Sequence, residues 1–80
     1  MKVEVRVYPR EGILDPQGKA IAAALVRLGH AGVESVRAGK LFFLDLADCD
    51  RPAAEAQARR MAEELLANTV IEGYDVRVVD

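Results

Sequence analysis

The sequence is poor in the residue types that most often carry chemistry. Its 80 residues include one cysteine, one histidine and no tryptophan. The single cysteine, Cys49, cannot form a disulfide within the chain, which fits a reducing compartment. It also has no histidine or second cysteine at ligand spacing, so we expect no metal site around it. These shortages argue against a disulfide-stabilised domain and a zinc domain.

Blocks of one charge and long apolar runs are also missing. Thirteen acidic and eleven basic residues are interspersed and give a net charge of −2, so we expect no broad contact with nucleic acid or membrane. No apolar run approaches the roughly 20 residues that span a bilayer. The first residues, Met1 to Glu4, carry charge and do not resemble a signal peptide. We therefore expect a soluble, cytoplasmic protein with one domain over residues 1–80.

The amount of apolar sequence is sufficient for a small core. Hydrophobic residues make up 51% of the chain, and a domain of this length buries roughly 60–65% of its unfolded surface. Domains this small often gain stability by oligomerising. Self-association is therefore an expectation from size alone.

The first half of the chain predicts a strand followed by a helix. Residues 2–8 alternate between polar and apolar side chains, with three valines on one face, and Pro9 ends the strand. Asp15 is placed to cap a helix whose first position is Pro16. The helical stripe then recurs at i, i+3, i+4 and i+7 and consists of Ile21, Ala24, Leu25 and Leu28. Gly29 is placed to end the helix in the left-handed conformation.

The second half predicts two more strands, a helix and a last strand. Residues 33–38 and 41–47 read as a hairpin, with a positive φ at Gly39. Pro52 opens the second helix, with Asp50 or Arg51 as its cap, and Asn68 is placed to end it in the left-handed conformation. Its apolar stripe consists of Ala54, Ala58, Met61, Ala62, Leu65 and Leu66. The last strand covers residues 74–79.

The element order β-α-β-β-α-β predicts an α+β, ferredoxin-like fold. In that arrangement a four-stranded antiparallel sheet carries both helices on one face. The helices should cover the face of Val3, Val5 and Val7. Leu41 and Phe43 then lie on the opposite face, where two bulky apolar side chains indicate that another chain covers them.

No catalytic constellation is evident in the sequence. His30 follows the end of the first helix, where a capping or solvent role is expected, and no orienting group accompanies it. Asp45, Asp48 and Asp50 lack the glycine and glutamate of a calcium loop. The glycine patterns of dinucleotide and phosphate loops are absent as well.

Several segments together resemble the PurS family, the small subunit of phosphoribosylformylglycinamidine synthase in purine biosynthesis. The first is Leu14-Asp15-Pro16-Gln17-Gly18-Lys19-Ala20-Ile21, and further matches run in the family's order to Tyr74. These further matches are Ala24-Leu25, Leu28-Gly29, Val36-Arg37, Gly39-Lys40, Leu65 to Asn68 and Val70 to Glu72. The similarity covers essentially the whole chain.

The resemblance implies a subunit of an ATP-dependent glutamine amidotransferase ligase with no catalytic residue of its own. PurL-like subunits perform the amidation with ATP and magnesium, PurQ-like subunits release ammonia from glutamine, and PurS-like subunits form dimers or larger homo-oligomers that bridge the two. The resemblance therefore implies that this chain itself binds no cofactor. The expected subunit contacts are Asp15, Gln17, Lys19, Arg37, Lys40, Leu41, Phe43, Asn68, Glu72 and Tyr74.

Two other functions are compatible with the predicted fold. A regulatory domain of the ACT type has the same element order and would bind a small ligand near the first strand-to-helix loop, beside Gly12 and Gly18. An RNA-binding sheet would present Phe43 and Tyr8 for stacking, although such sheets are basic and this chain is acidic.

Overall fold

A computed structural model describes residues 1–13 and 15–79. Leu14, part of the first family-like segment, and Asp80 lie outside the described residues. The elements are β1 (Lys2–Pro9), α1 (Pro16–Arg27), β2 (Lys40–Asp45), α2 (Arg51–Met61) and β3 (Glu72–Val78). A π-helical turn, Ala62–Leu66, continues α2 without a break. Among the described residues no helix has the length and apolar character needed to cross a membrane.

The sheet has three antiparallel strands in the order β2-β1-β3. Val5 of β1 lies between Phe42 of β2 and Val76 of β3, which fixes the register on both sides. Because side chains alternate across a strand, the valines at 3, 5 and 7 share one face, and each is almost completely buried. We call this the helix face of the sheet and the opposite side the outer face.

Helix α2 forms the core with the three valines of β1. Ala54, Ala58 and Ala62 recur every fourth residue along its inner side and have no exposed surface. Such small side chains let the helix backbone approach the sheet closely. Asp50 is the N-cap, because its carboxylate accepts a hydrogen bond from the Ala53 N–H at 3.0 Å.

The predicted hairpin is wrong for this chain, and so is the fourth strand within it. Residues 33–38 belong to no strand of the described sheet. They return beside the start of α1, where the Ala38 N–H donates to Asp15. Gly39 does not have the predicted positive φ, since the chain enters β2 without a tight turn. The α+β class is confirmed, while a four-stranded, ferredoxin-like sheet is not.

Helix α1 does not cover the helix face as predicted. It packs on no strand extensively, and within it only Gly18 is buried. The physical reason is at its base, where Asp15 and Gly18 attach it to the returning segment rather than to the sheet. The sequence did predict its ends, because Asp15 caps it and Gly29 follows with a φ of +105°.

The prediction that Asn68 ends the second helix in the left-handed conformation is also wrong. The chain leaves the π-helical turn through Ala67 in an extended conformation, and among the described residues only Asp48 is a non-glycine with positive φ. Asn68 instead caps the following turn, since its Oδ1 accepts from the Val70 N–H at 3.2 Å.

Candidate subunit-contact surface

Asp15 joins the two chain segments that meet at the base of α1. Its Oδ1 accepts from the Gly18 N–H at 3.0 Å, and its Oδ2 accepts from the Ala38 N–H at 2.8 Å. These bonds, led by that from Ala38, lower the pKa of the Asp15 carboxyl. The residue therefore has a structural role, and its side chain is only partly available to a partner.

The loop between the π-helical turn and β3 is held by Glu72 and Arg10. Glu72 Oε1 accepts from the Asn68 N–H at 2.7 Å, and Oε2 lies 3.8 Å from the Lys40 Nζ. The Arg10 guanidinium donates to the Thr69 carbonyl at 2.9 Å. These contacts bring the loop against the start of β2, so Lys40, Asn68 and Glu72 lie together.

A groove lies between this loop and the base of α1. It has a volume of about 410 Å³, and its lining includes Ile13, Asp15, Gln17, Lys40, Ile71 and Glu72. The two isoleucines are about two-fifths exposed. The groove thus combines apolar walls with the charges of Lys40, Asp15 and Glu72 and the amide of Gln17, a mixture suited to a protein segment.

Lys19 and Arg37 lie on the other flank of the α1 base. They line a second depression with Ser35 and Val36. The Arg37 guanidinium also donates to the Pro9 carbonyl, so it connects the returning segment to the end of β1. Lys19 is exposed, so its side chain is available to a partner.

Leu41 and Phe43 lie on the outer face, as the alternation predicts. Their exposed fractions are 49% and 75%. Beside them the outer face carries charges of both signs, with Arg6 bonded to Asp75 at 2.8 Å across β1 and β3. The face is therefore apolar along β2 and paired in charge along β1 and β3.

Tyr74 is separated from the other predicted contacts. It pairs with Val7 in the sheet and therefore points to the helix face, where its hydroxyl donates to Glu63 Oε1 at 2.8 Å. The Glu63 carboxylate raises the pKa of the Tyr74 phenol. Its role here is to fasten β3 to the π-helical turn.

Sequence reasoning missed three residues of this surface. Arg10, Ile13 and Ile71 form the groove walls or hold the loop, and they come together only through the pairing of β1 with β3. The sequence signal that could have indicated the groove was the presence of an isoleucine in each of two turn segments, at Ile13 and Ile71. No group of three potential metal ligands occurs among residues 1–13 and 15–79.

Known proteins similar to this chain share one description. The family model described as "PurS: Phosphoribosylformylglycinamidine (FGAM) synthase" matches residues 2–80. A Mycobacterium leprae relative, phosphoribosylformylglycinamidine synthase subunit PurS, is 50% identical over 72 residues, or 90% of this chain and 87% of the relative. The Bacillus subtilis subunit of the same name is 43% identical over 96% of this chain and 90% of its own length.

Solved structures agree with the sequence relatives. A structure of Bacillus subtilis PurS has a TM-score of 0.87 at 42% identity and covers 99% of this chain and 98% of its own. A chain of PurLQS from Thermotoga maritima has a TM-score of 0.86 at 31% identity, covering 98% and 95%. The ACT-like alternative is not favoured by these similarities. With its sequence matched over residues 2–80 and its fold shared with solved PurS subunits, the chain belongs to the PurS family of phosphoribosylformylglycinamidine synthase.

Proposed function

We propose that this chain is the non-catalytic small subunit of a phosphoribosylformylglycinamidine synthase in purine biosynthesis. The observation that carries the proposal is the match of residues 2–80 to the PurS family, together with the shared fold of a chain from the Thermotoga maritima PurLQS structure. The scarcity of chemistry-bearing side chains supports a role in assembly, since the only histidine is exposed beyond the end of α1.

The proposed partners are PurL-like and PurQ-like subunits. In this proposal PurQ releases ammonia from glutamine, PurL uses ATP and magnesium to form the amidine, and this chain holds the two so that ammonia passes between them. The chain itself then needs no cofactor. Its single, half-buried thiol at Cys49 suits the cytoplasm, where we place the complex.

Two surfaces are proposed for these contacts. The groove beside Lys40 offers apolar walls and a lysine that is 57% exposed on its side chain. The outer face offers Leu41 and Phe43, two large apolar side chains that are unusual as neighbours exposed to water. A subunit that bridges two others needs at least two separate contact areas, and these lie on different sides of the sheet.

Reconstitution with PurL and PurQ from the same organism tests the function. We expect glutamine-dependent amidation of formylglycinamide ribonucleotide to require all three chains. Replacing glutamine with an ammonium salt is the control, because free ammonia bypasses the transfer between subunits. Full glutamine-dependent activity without this chain would refute the proposal.

We further propose that the outer face takes part in self-association. Phe43→Asp should shift the chain to species of lower mass on gel filtration with light scattering, because an aspartate at a packed contact is desolvated without a partner. Val70→Asp is a matched control, since Val70 is 80% exposed outside the sheet. An unchanged mass for Phe43→Asp would eliminate this use of the face.

A further inference from the structure

The groove at the base of α1 has walls that are held by backbone hydrogen bonds. Both of its isoleucines are attached to Arg10, whose N–H donates to the Ile71 carbonyl at 2.9 Å and whose carbonyl accepts from the Ile13 N–H at 3.2 Å. On another side Asp15 accepts from the Ala38 N–H at 2.8 Å. The groove is therefore formed before an occupant arrives, which lowers the entropic cost of binding.

The acidic side chains of the groove are already engaged within the chain. Each oxygen of the Asp15 carboxylate accepts a hydrogen bond from a backbone N–H. Glu72 Oε1 accepts from the Asn68 N–H at 2.7 Å, and the Glu72 side chain is only 19% exposed. Neither carboxylate is therefore well placed to select a basic group.

The hydrogen-bond donors of the groove are available instead. The Lys40 side chain is 57% exposed, and its Nζ lies 3.8 Å from Glu72 Oε2, which is too far for a hydrogen bond. An ammonium group carries three N–H donors. Among the described residues, no hydrogen bond is made by the Lys40 ammonium or the Gln17 side-chain amide. The lining has one lysine against two carboxylates, but the charge that an occupant can reach is positive.

We propose that the groove binds an extended segment of a partner subunit that presents a carboxylate beside an aliphatic side chain. The carboxylate pairs with Lys40 and Gln17, and the aliphatic side chain packs on Ile13 and Ile71. The volume of about 410 Å³ falls among pockets of about 300–1,000 Å³ that hold a drug-sized ligand, so it suits a few side chains. The inference rests on the proposed function for the existence of a partner subunit, and it adds the chemistry that recognises this partner.

Carbodiimide cross-linking of the reconstituted three-subunit complex tests the inference. The reagent joins a lysine amine to a neighbouring carboxylate as an amide, with loss of water, and mass spectrometry of the digested complex identifies the joined residues. We expect Lys40 to be joined to an aspartate or glutamate of a partner subunit that has an aliphatic neighbour. In the isolated chain the reagent should join Lys40 to Glu72, 3.8 Å away, and this product shows that the amine reacts.

Lys40→Arg is the matched control for the cross-link. The variant keeps the positive charge and should retain assembly, but a guanidinium does not form the amide, so the cross-link should disappear. Cross-links in the complex from Lys40 only to Glu72, or only to a second copy of this chain, would overturn the inference. If such a complex still has glutamine-dependent activity, the proposed function stands and only the inference fails.

A titration of the chain alone tests the groove without a partner subunit. The probes are leucyl-glutamate, leucyl-glutamine and leucyl-lysine dipeptides with acetylated and amidated ends, and NMR of nitrogen-15-labelled chain follows the amides of Ile13, Gln17 and Ile71. We expect the glutamate probe to bind about threefold more tightly than the glutamine probe, and Lys40→Gln to abolish this preference. Equal binding of the two probes, tighter binding of the lysine probe, or no shift of these amides would overturn the inference. Because no other subunit is present, this result is independent of the three-subunit assay.

Discussion

Gly18 is the residue at which α1 and the returning segment touch. A Cβ on Gly18 would lie 2.9 Å from the Val36 carbonyl carbon and 2.6 Å from Asp15 Oδ2, and closer still to the Val36 oxygen. The nearest neighbour is backbone, which cannot move aside cheaply. The glycine of the family-like segment is therefore required by close approach rather than by an unusual φ.

Gly18→Ala should destabilise the protein. Alanine favours a helix by up to about 1 kcal/mol over glycine, but the displaced backbone should cost more, for a net loss of about 1–3 kcal/mol. Urea unfolding followed by circular dichroism measures it. Gly32→Ala is the control, because a Cβ added there would meet nothing within 4 Å beyond its chain neighbours. A loss of stability as large at Gly32 would contradict the explanation.

Asp15 should make stability depend on acid pH. The pKa of its carboxyl in the folded chain is lowered, chiefly by the Ala38 and Gly18 N–H groups, whereas an unfolded aspartate titrates near pH 3.9. The stabilisation of the folded state by the charged Asp15 carboxylate is therefore complete above about pH 4. It is lost as the pH falls through the lowered pKa.

Asp15→Asn should flatten this acid dependence while keeping a cap at α1. Thermal unfolding between about pH 2 and pH 7 measures the difference between variant and wild type, which should shrink as the pH falls. Glu11→Gln controls for the loss of one negative charge at an exposed site. Parallel pH profiles for Asp15→Asn and wild type would contradict the assignment.

At the scale of elements, α2 is held to the sheet by alanines. Ala54, Ala58 and Ala62 are fully buried against the valines of β1. Their spacing of four keeps one narrow side of the helix toward the sheet. The separation of helix and sheet is thus set by residues without a rotatable side chain, and the core has little room for a larger one.

Ala58→Leu should destabilise the protein by about 1–3 kcal/mol, because the added side chain forces helix and sheet apart. Ala56→Leu, on the exposed side of the same helix, should change the free energy of unfolding by no more than about 0.5 kcal/mol. Denaturant unfolding of both variants provides the comparison. Similar losses at the two positions would mean that the alanine side is not tightly packed.

At the scale of the whole molecule, the predicted contacts lie on four surfaces. Asp15, Gln17, Lys40 and Glu72 line the groove, where Glu72 also accepts from the Asn68 N–H, and Lys19 and Arg37 line the depression on the other flank of the α1 base. Leu41 and Phe43 lie on the outer face, and Tyr74 lies on the helix face. A small subunit that joins larger ones can use such separate areas for different partners. The groove is the area in which polar specificity and apolar contact are combined.

Lys40→Glu should weaken assembly with the PurL and PurQ subunits about tenfold, because the reversed charge repels Glu72 and the partner groups that suit a lysine. Gel filtration and calorimetry of the mixture measure assembly, and circular dichroism checks the fold. Lys40→Gln removes the charge without repulsion and should have a smaller effect. Arg60→Glu, at an exposed position of α2, is the control away from the groove. Assembly of Lys40→Glu equal to that of the wild type would remove Lys40 from the contacts.

The sequence by itself determined the family, the first strand and the limits of the first helix, but not the turn at Gly39 or the helix end at Asn68. Alternation in β1, the Asp15 cap, the start of α2 after Asp50 or Arg51, and the glycine after α1 all act within a few residues, so the chain order reveals them. Only the tertiary structure decided where α1 goes. The stripe of α1 indicates that an apolar surface must cover it, but not whether that surface is its own sheet. Two hydrogen bonds to Asp15 and one close contact at Gly18 attach α1 to residues 33–38 rather than to the sheet. Contacts between distant segments decide where a helix lies, whereas periodicity predicts only which of its faces is apolar.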